Sequence, residues 1–106
     1  MKVDVLGTAY KLKLEKFGDE NCDGWTDTTS KVICIRSDNY NQVGDFDSLM
    51  RRQLRHELIH AFLHESGLGC NFEHTKNFGH EETMVDWIAI QFPKIYKTYK
   101  KLNILD

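Results

Sequence analysis

The 106-residue chain predicts a single α+β domain spanning residues 1–106. Short segments that alternate apolar and polar residues fill the first third, and apolar residues recur at helical spacing afterwards. Clusters of turn-forming residues separate these segments. Hydrophobic residues make up 41% of the chain and charged residues 28%, as is ordinary for a soluble globular protein. The expected fold is a small mixed or antiparallel sheet of about three strands packed on two long helices.

The strands are predicted in the first third of the chain. Residues 3–6 and 10–15 alternate as half-buried strands do, although Leu, Lys and Glu also allow a helical turn at 10–14. Residues 23–27 predict a short edge segment. Residues 31–36 predict the strongest strand, because they are β-branched and bracketed by turn residues. This strand is expected either at the sheet edge, where it could receive an extended peptide, or in the centre of the core.

Two helices are predicted in the remaining chain. The first begins at about residue 47, with Asp45 or Asp47 as its N-cap, and Gly67 provides a left-handed end. The second begins near His80, and Pro93 is expected to kink or end it. The apolar faces predicted from the spacing are Leu49 or Met50, Leu54, Leu58, Ala61 and Phe62, then Val85, Ile88, Ala89, Phe92, Ile95 or Tyr96, and Tyr99.

Charge and cysteine content narrow the functional classes. A net charge of −2 gives no reason to expect nucleic acid or an anionic membrane as a partner. No apolar run reaches membrane-spanning length, and the first residues lack a signal-peptide hydrophobic region. Cys22, Cys34 and Cys70 are odd in number and lack C-x-x-C spacing, which indicates free thiols. We therefore expect a cytoplasmic protein, whose oligomeric state the sequence does not specify.

The motif His56-Glu57-x-x-His60 lies within the first predicted helix. Residues four apart lie about 40° apart around a helix and roughly 6 Å apart along it, so both imidazoles can reach one metal ion. Glu57 lies about 100° round from His56, where it can hold a metal-bound water. Imidazole suits Zn²⁺ and a carboxylate can accept a proton from zinc-bound water, so the pattern is typical of zinc peptidases. The alternative is an amphipathic core helix with surface histidines.

A catalytic zinc site also requires a third protein ligand. His64 would lie about 12 Å along the axis from His56, too far for zinc–nitrogen bonds of about 2 Å, so we expect it at the surface or behind the ligands. The longer H-E-x-x-H-x-x-G-x-x-H motif is absent, because position 63 is Leu and position 66 is Ser. The candidates for the third ligand are Glu81, Glu82, His64, His74, His80 and Cys70.

Glu82 is the preferred candidate because of its spacing from Asp86. The two acids lie four residues apart at the start of the second predicted helix and share a face. Asp86 can then accept the free N–H of a ligating histidine and fix its ring. Alternatively, Glu81 and Glu82 are acids of the first helical turn, where the helix dipole favours negative charge. This alternative does not explain why Asp86 lies four residues after Glu82. Glu81 replaces Glu82 if the helix begins one residue differently.

Two blocks carry a resemblance to a known family. His56-Glu57-Leu58-Ile59-His60-Ala61, followed by Glu82-x-x-Val85-Asp86-Trp87-Ile88-Ala89 and Pro93, resembles the ImmA/IrrE-type zinc metallopeptidases. The chain looks closest to small phage-encoded relatives, and the resemblance covers roughly residues 47–93. It departs from larger members in lacking a helix-turn-helix segment, so a repressor-cleaving role is not carried over.

The resemblance implies a ligand set and a fold. Zinc would be bound by His56, His60 and Glu82, with Glu57 as the catalytic acid–base. The fold would be a reduced zincin-like one, with the small sheet packed on the motif helix and a second, ligand-bearing helix. A phage-encoded relative would act in the host cytoplasm.

The predicted function is therefore hydrolysis of a peptide or protein substrate by zinc-activated water, with Glu57 as general base and then general acid. A further donor for the oxyanion could be His74, His80 or Tyr40, although each could equally be a plain loop or surface residue. The main alternative is a non-catalytic zinc-stabilised protein-binding module of phage or mobile-element origin. Glu57 is not needed to bind zinc, and its presence favours catalysis. A third alternative is a structural phage component without metal.

Overall fold

The computed structural model describes residues 1–19, 21–67 and 82–106, and only the backbone of residues 82–86 and 89. The secondary-structure elements in these ranges are β1 (Lys2–Val5), β2 (Thr8–Glu15), β3 (Gly24–Asp27), β4 (Val32–Arg36), α1 (Phe46–Glu65) and α2 (Glu82–Lys101). The predicted α+β class is confirmed. The sheet has four strands rather than about three, because the short segment at 24–27 pairs along its full length with β4.

The four strands form a mixed sheet in the order β1-β2-β4-β3. β2 pairs with β4 in parallel, whereas β1 with β2 and β3 with β4 are antiparallel. The segment predicted at 31–36 is thus the central strand, and its prediction as the sheet edge is wrong. Ile33 and Cys34 of β4 are fully buried, on opposite faces, as suits an interior strand. Among the described residues, β1 and β3 form the two edges.

The turn between β1 and β2 fixes the register of the first hairpin. Leu6 and Gly7 have φ values of 52° and 93°, so both central residues are left-handed, as in the tight turns that match strand twist. Val5 pairs with Thr8, and Val3 pairs with Tyr10. The buried side chains of Val3, Val5 and Tyr10 therefore lie on one face, and the alternative of a helical turn at 10–14 is wrong.

Helix α1 packs on this face of the sheet. Its N-cap is Asp45, whose carboxylate accepts a 3.1 Å hydrogen bond from the backbone N–H of Ser48. Gly67 follows the helix with a φ of 87°, which confirms the predicted left-handed end. The buried residues of the predicted apolar face are Leu58, Ala61 and Phe62, with Leu54 packed against the same core. This packing sets the direction in which the remaining faces of α1 point.

The segment before β3 is held by a buried arginine of β4. Arg36 is 3% exposed, and its guanidinium donates to the carbonyl oxygens of Gly18 and Cys22 and to the carboxylate of Asp38. The backbone N–H of Phe17, and secondarily Arg36, hold the pKa of Asp38 below its ordinary value. These contacts fix the approach of the chain to the edge strand β3.

Helix α2 covers the core through a face that differs from the predicted one. Trp87 and Ile95 are buried, whereas Ile88, Phe92 and Tyr96 are exposed. The predicted stripe is therefore wrong at Ile88 and Phe92, and Ile95 rather than Tyr96 is the buried member of that pair. Tyr99 packs against the core as predicted, and the side chains of Val85 and Ala89 lie outside the described part of the chain. Polar contacts explain why α2 buries this face rather than the predicted one. The Trp87 indole donates to the Ser66 hydroxyl, and the Tyr99 hydroxyl donates a 2.9 Å hydrogen bond to the Arg55 carbonyl. The polar tips of Trp87 and Tyr99 thus select the inward face.

Pro93 lies inside α2, which continues to Lys101, so the expectation that Pro93 ends the helix is wrong. An interior proline costs about 3 kcal/mol because it removes one helical hydrogen bond and crowds the preceding turn. Trp87 and Ile95 are buried on either side of it. Burial of large side chains at about 25 cal/mol per Å² offsets a cost of this size.

Two further sequence predictions concern membranes and thiols. As far as the described residues extend, neither helix has a stretch long and apolar enough to cross a membrane. Cys22 is exposed, Cys34 is buried, and both are free thiols as predicted. Cys70 lies outside the described residues.

Candidate metal centre

The two motif histidines lie together on the exposed face of α1. His56 and His60 are both exposed, and their Nε2 atoms are 3.2 Å apart. The ring planes are inclined at 72° with centroids 4.9 Å apart. The four-residue spacing stacks the side chains one above the other, while Leu58 and Phe62 hold the opposite face of the helix against the core. The imidazoles therefore converge as the motif predicts.

The 3.2 Å separation has two chemical interpretations. Two N–H groups cannot point at each other at this distance, so at least one Nε2 atom presents a lone pair to the other. One nitrogen can donate to the other, or both lone pairs can point at one cation. Two nitrogens bound to a tetrahedral zinc ion at 2.0–2.1 Å lie about 3.3 Å apart. The separation of His56 Nε2 and His60 Nε2 thus fits two of the ligands of a zinc site.

The expected third ligand lies at the start of α2. Glu82 is the first residue of that helix and Asp86 follows one turn later, but both side chains lie outside the described part of the chain. Within the described part, no group of three or more His, Cys, Asp or Glu side chains could hold a metal ion together. The assignment of Glu82 as the third ligand remains a prediction, and so does that of Asp86 as the acceptor that fixes the ring of a ligating histidine.

Glu57 lies on the side of α1 that faces the sheet. Its side chain is buried, at 4% exposure, and each carboxylate oxygen accepts a hydrogen bond. The Thr26 hydroxyl of β3 is 2.7 Å from Oε1, and the Gln53 side-chain N–H donates to Oε2 at 2.7 Å. A buried carboxylate needs such partners because desolvation without them is costly. The expected role of Glu57, holding a metal-bound water, remains a prediction, and neither hydrogen-bond partner was expected.

Only one of the two hydrogen-bond partners of Glu57 could have been inferred from the sequence. Gln53 lies one helical turn before Glu57, so its i, i+4 spacing could have indicated the contact. Thr26 lies 31 positions away, and only the pairing of β3 with β4 brings it there. The register aligns Thr26 with buried Ile33, which turns its side chain toward α1. No local signal in the sequence contains this information.

The remaining candidates are Tyr40, His64 and four residues outside the described part of the chain. Tyr40 is exposed in the loop between β4 and α1, and no hydrogen bond among the described residues joins it to either histidine. His64 Nε2 lies 3.9 Å from Glu65 Oε2, near the end of α1, and its place away from the ligands remains a prediction. His74, His80, Glu81 and Cys70 lie outside the described residues.

Comparisons with known proteins add no assignment. No known family model matches the chain, and no curated protein or solved structure is significantly similar to it. The candidate site therefore rests on the geometry of α1 and β3.

Proposed function

We propose that the protein is a zinc-dependent peptide hydrolase. The observation that carries the proposal is the 3.2 Å separation between Nε2 of His56 and Nε2 of His60. The neighbouring residue in the motif, Glu57, has a carboxylate held by two donors. His56 and His60 would hold the zinc ion, and Glu82 is the candidate third ligand. Zinc bound there would supply a Lewis acid that polarises the peptide carbonyl and makes water more acidic.

Glu57 would perform the proton transfers. Its carboxylate would accept the proton released as water attacks the peptide carbonyl and would then donate this proton to the departing amine. The carboxylate is ionised before and after the cycle, so no proton is gained or lost on the enzyme. Thr26 and Gln53 use one lone pair on each oxygen, and a carboxylate offers about four lone-pair directions, which leaves acceptor capacity for the reacting proton.

The edge strand β3 supports a peptide as substrate. β3 pairs with β4 on one side, and no strand among the described residues pairs with its other side. An extended peptide could add to that side through main-chain hydrogen bonds. Thr26 of β3 contacts Glu57, so such a peptide would run beside the carboxylate. The strand proposed for this role is thus β3 rather than the segment 31–36.

One observation favours the second candidate function, a zinc-stabilised protein-binding module without turnover. Both oxygens of Glu57 are engaged by Thr26 and Gln53, which is also what a structural tie between β3 and α1 would require. In that case Glu57 stabilises the fold, and zinc binding depends only on His56, His60 and the third ligand.

The two functions are separated by a Glu57→Gln variant, which keeps the shape of the side chain and one oxygen acceptor. Zinc content is measured after dialysis, and cleavage is measured on a library of fluorescence-quenched peptides. The peptidase proposal predicts about one zinc per chain in both proteins and at least a 100-fold loss of cleavage in Glu57→Gln. Zinc binding without cleavage by wild type favours the binding module, whereas equal cleavage by both proteins refutes the proposed role of Glu57. Absence of zinc from wild type overturns both.

A further inference from the structure

We infer that Thr26 and Gln53 are positioning residues that fix the carboxylate of Glu57 for its proton transfers. The inference rests on the proposed peptidase function. It concerns two side chains that lie outside the His-Glu-x-x-His motif, on two different secondary-structure elements.

The two donors restrain the carboxylate group in different directions. Thr26 approaches Oε1 from β3 and Gln53 approaches Oε2 from the preceding turn of α1, each at 2.7 Å. One donor would leave the group free to rotate about the bond to its carboxyl carbon. Two donors from separate elements, one on each oxygen, define the plane of the group. Glu57 is also buried, so water does not compete for these contacts.

Gly24 explains how β3 comes close enough to make this contact. A Cβ atom at this position would lie 3.2 Å from Cγ of Gln53 and 3.0 Å from the carbonyl oxygen of Cys34. Glycine therefore allows the close approach of β3 to α1 that places Thr26 and Gln53 on opposite sides of one carboxylate. The positioning unit thus extends from the sheet edge to the helix.

The consequence for catalysis is geometric. A displacement of about 1 Å in a reacting group can reduce turnover about 100-fold. Loss of the Thr26 hydroxyl would release Oε1, and loss of the Gln53 N–H would release Oε2. Neither residue binds the metal, so both losses should act on kcat through Glu57 and leave the affinity for zinc nearly unchanged.

The test measures kcat, KM and the zinc Kd of Thr26→Val and Gln53→Met, each alone and each combined with Glu57→Gln. The proteins are loaded with zinc, and the substrate is the library peptide that wild type cleaves fastest. We expect kcat to fall about 100-fold in each single variant, with KM and the zinc Kd within about 3-fold of wild type. Added to Glu57→Gln, either change should reduce kcat little further. Thr26→Ser should recover most of the rate, and Thr28→Val, in the adjoining turn, is the matched control.

A second readout does not depend on activity. Urea unfolding of the metal-free proteins, in a double-mutant cycle of Thr26→Val with Glu57→Leu, which removes both acceptor oxygens, should show non-additive losses that confirm the contact. Non-additive unfolding with unchanged kcat means a purely structural tie and overturns the inference. Additive losses of unfolding free energy also overturn it. A loss of zinc affinity large enough to explain the fall in kcat overturns it as well. A wild type without zinc or cleavage refutes the proposed function itself, and the inference with it.

Discussion

The hydroxyl of Tyr10 in β2 donates a 2.7 Å hydrogen bond to Oε2 of Glu65, the last residue of α1. Lys31 Nζ lies 2.8 Å from the same oxygen. The hydrogen bonds from Lys31 and then Tyr10 lower the pKa of Glu65 from 4.5 to about 2. Burial, and secondarily Glu65, raises the pKa of Tyr10 above its ordinary value. This cluster attaches the end of the motif helix to the sheet.

The lowered pKa of Glu65 predicts acid-sensitive stability. Because the folded-state pKa of about 2 is below the ordinary value of 4.5, the stabilisation is fully present above pH 4.5 and is lost as the pH falls toward 2. Glu65→Gln should lose about 2 kcal/mol of unfolding free energy at pH 7 and show a shallower decline in acid. Urea unfolding at a series of pH values measures both effects.

An exposed acid provides the control for this prediction. Asp19 is exposed in the loop after β2, and Asp19→Asn, which also removes one carboxylate, is the matched variant. If Glu65→Gln declines in acid as steeply as wild type, the proposed contribution of Glu65 to acid sensitivity is wrong.

The close approach at Gly24 predicts a specific loss of stability. In Gly24→Ala the new methyl group would meet Gln53 Cγ at 3.2 Å and the Cys34 carbonyl oxygen at 3.0 Å. The backbone oxygen cannot easily move, so we expect a loss of about 1–3 kcal/mol in unfolding free energy. Gly44→Ala is the control, since a Cβ there meets no atom within 4 Å. Equal unfolding midpoints for the two variants would contradict the packing of β3 on α1.

The thiols of Cys22 and Cys34 should differ in reactivity. Cys34 is fully buried, and burial, with a smaller contribution from Glu15, raises the pKa of its thiol to about 11. Cys22 is exposed. At pH 8 we expect an alkylating reagent to modify Cys22 in the native protein and Cys34 only after unfolding. Peptide mass mapping reads out both sites, and rapid native modification of Cys34 would refute its burial in the sheet.

The proposed ligand set predicts which substitutions lose zinc. His60→Ala and Glu82→Ala should lose the metal, whereas His64→Ala should keep it, because His64 lies by Glu65 at the end of α1. Zinc at about 100 times its Kd should stabilise wild type by about 2.7 kcal/mol, and the first two variants should lack this increase. Metal analysis and thermal unfolding with and without a chelator measure it. Retention of zinc by Glu82→Ala would exclude Glu82 as ligand.

Features set by local spacing could be predicted from the sequence. The convergence of His56 and His60 follows from helical geometry, and the helix start at Asp45 and the left-handed Gly67 follow from the chemistry of helix ends. The strand character of residues 32–36 follows from their β-branched side chains. Each of these depends on neighbours within a few residues.

Features set by distant contacts could not be predicted. Thr26 reaches Glu57 only because the strand order places β3 beside β4, and the pattern of 31–36 is compatible with an edge or a centre. The inward face of α2 depends on the Ser66 hydroxyl that receives the Trp87 indole. Burial of Trp87 and Ile95 likewise outweighs the local preference of Pro93 to end a helix.

The strand order also bears on how the chain folds. β1 with β2 and β3 with β4 are hairpins of neighbouring strands, which can close their short loops within microseconds. The parallel pairing of β2 with β4, from Lys11 opposite Val32 to Glu15 opposite Arg36, joins these two units and closes a longer loop. We therefore expect the docking of the two hairpins to limit the folding rate, and Thr26 to reach Glu57 only once that docking has occurred.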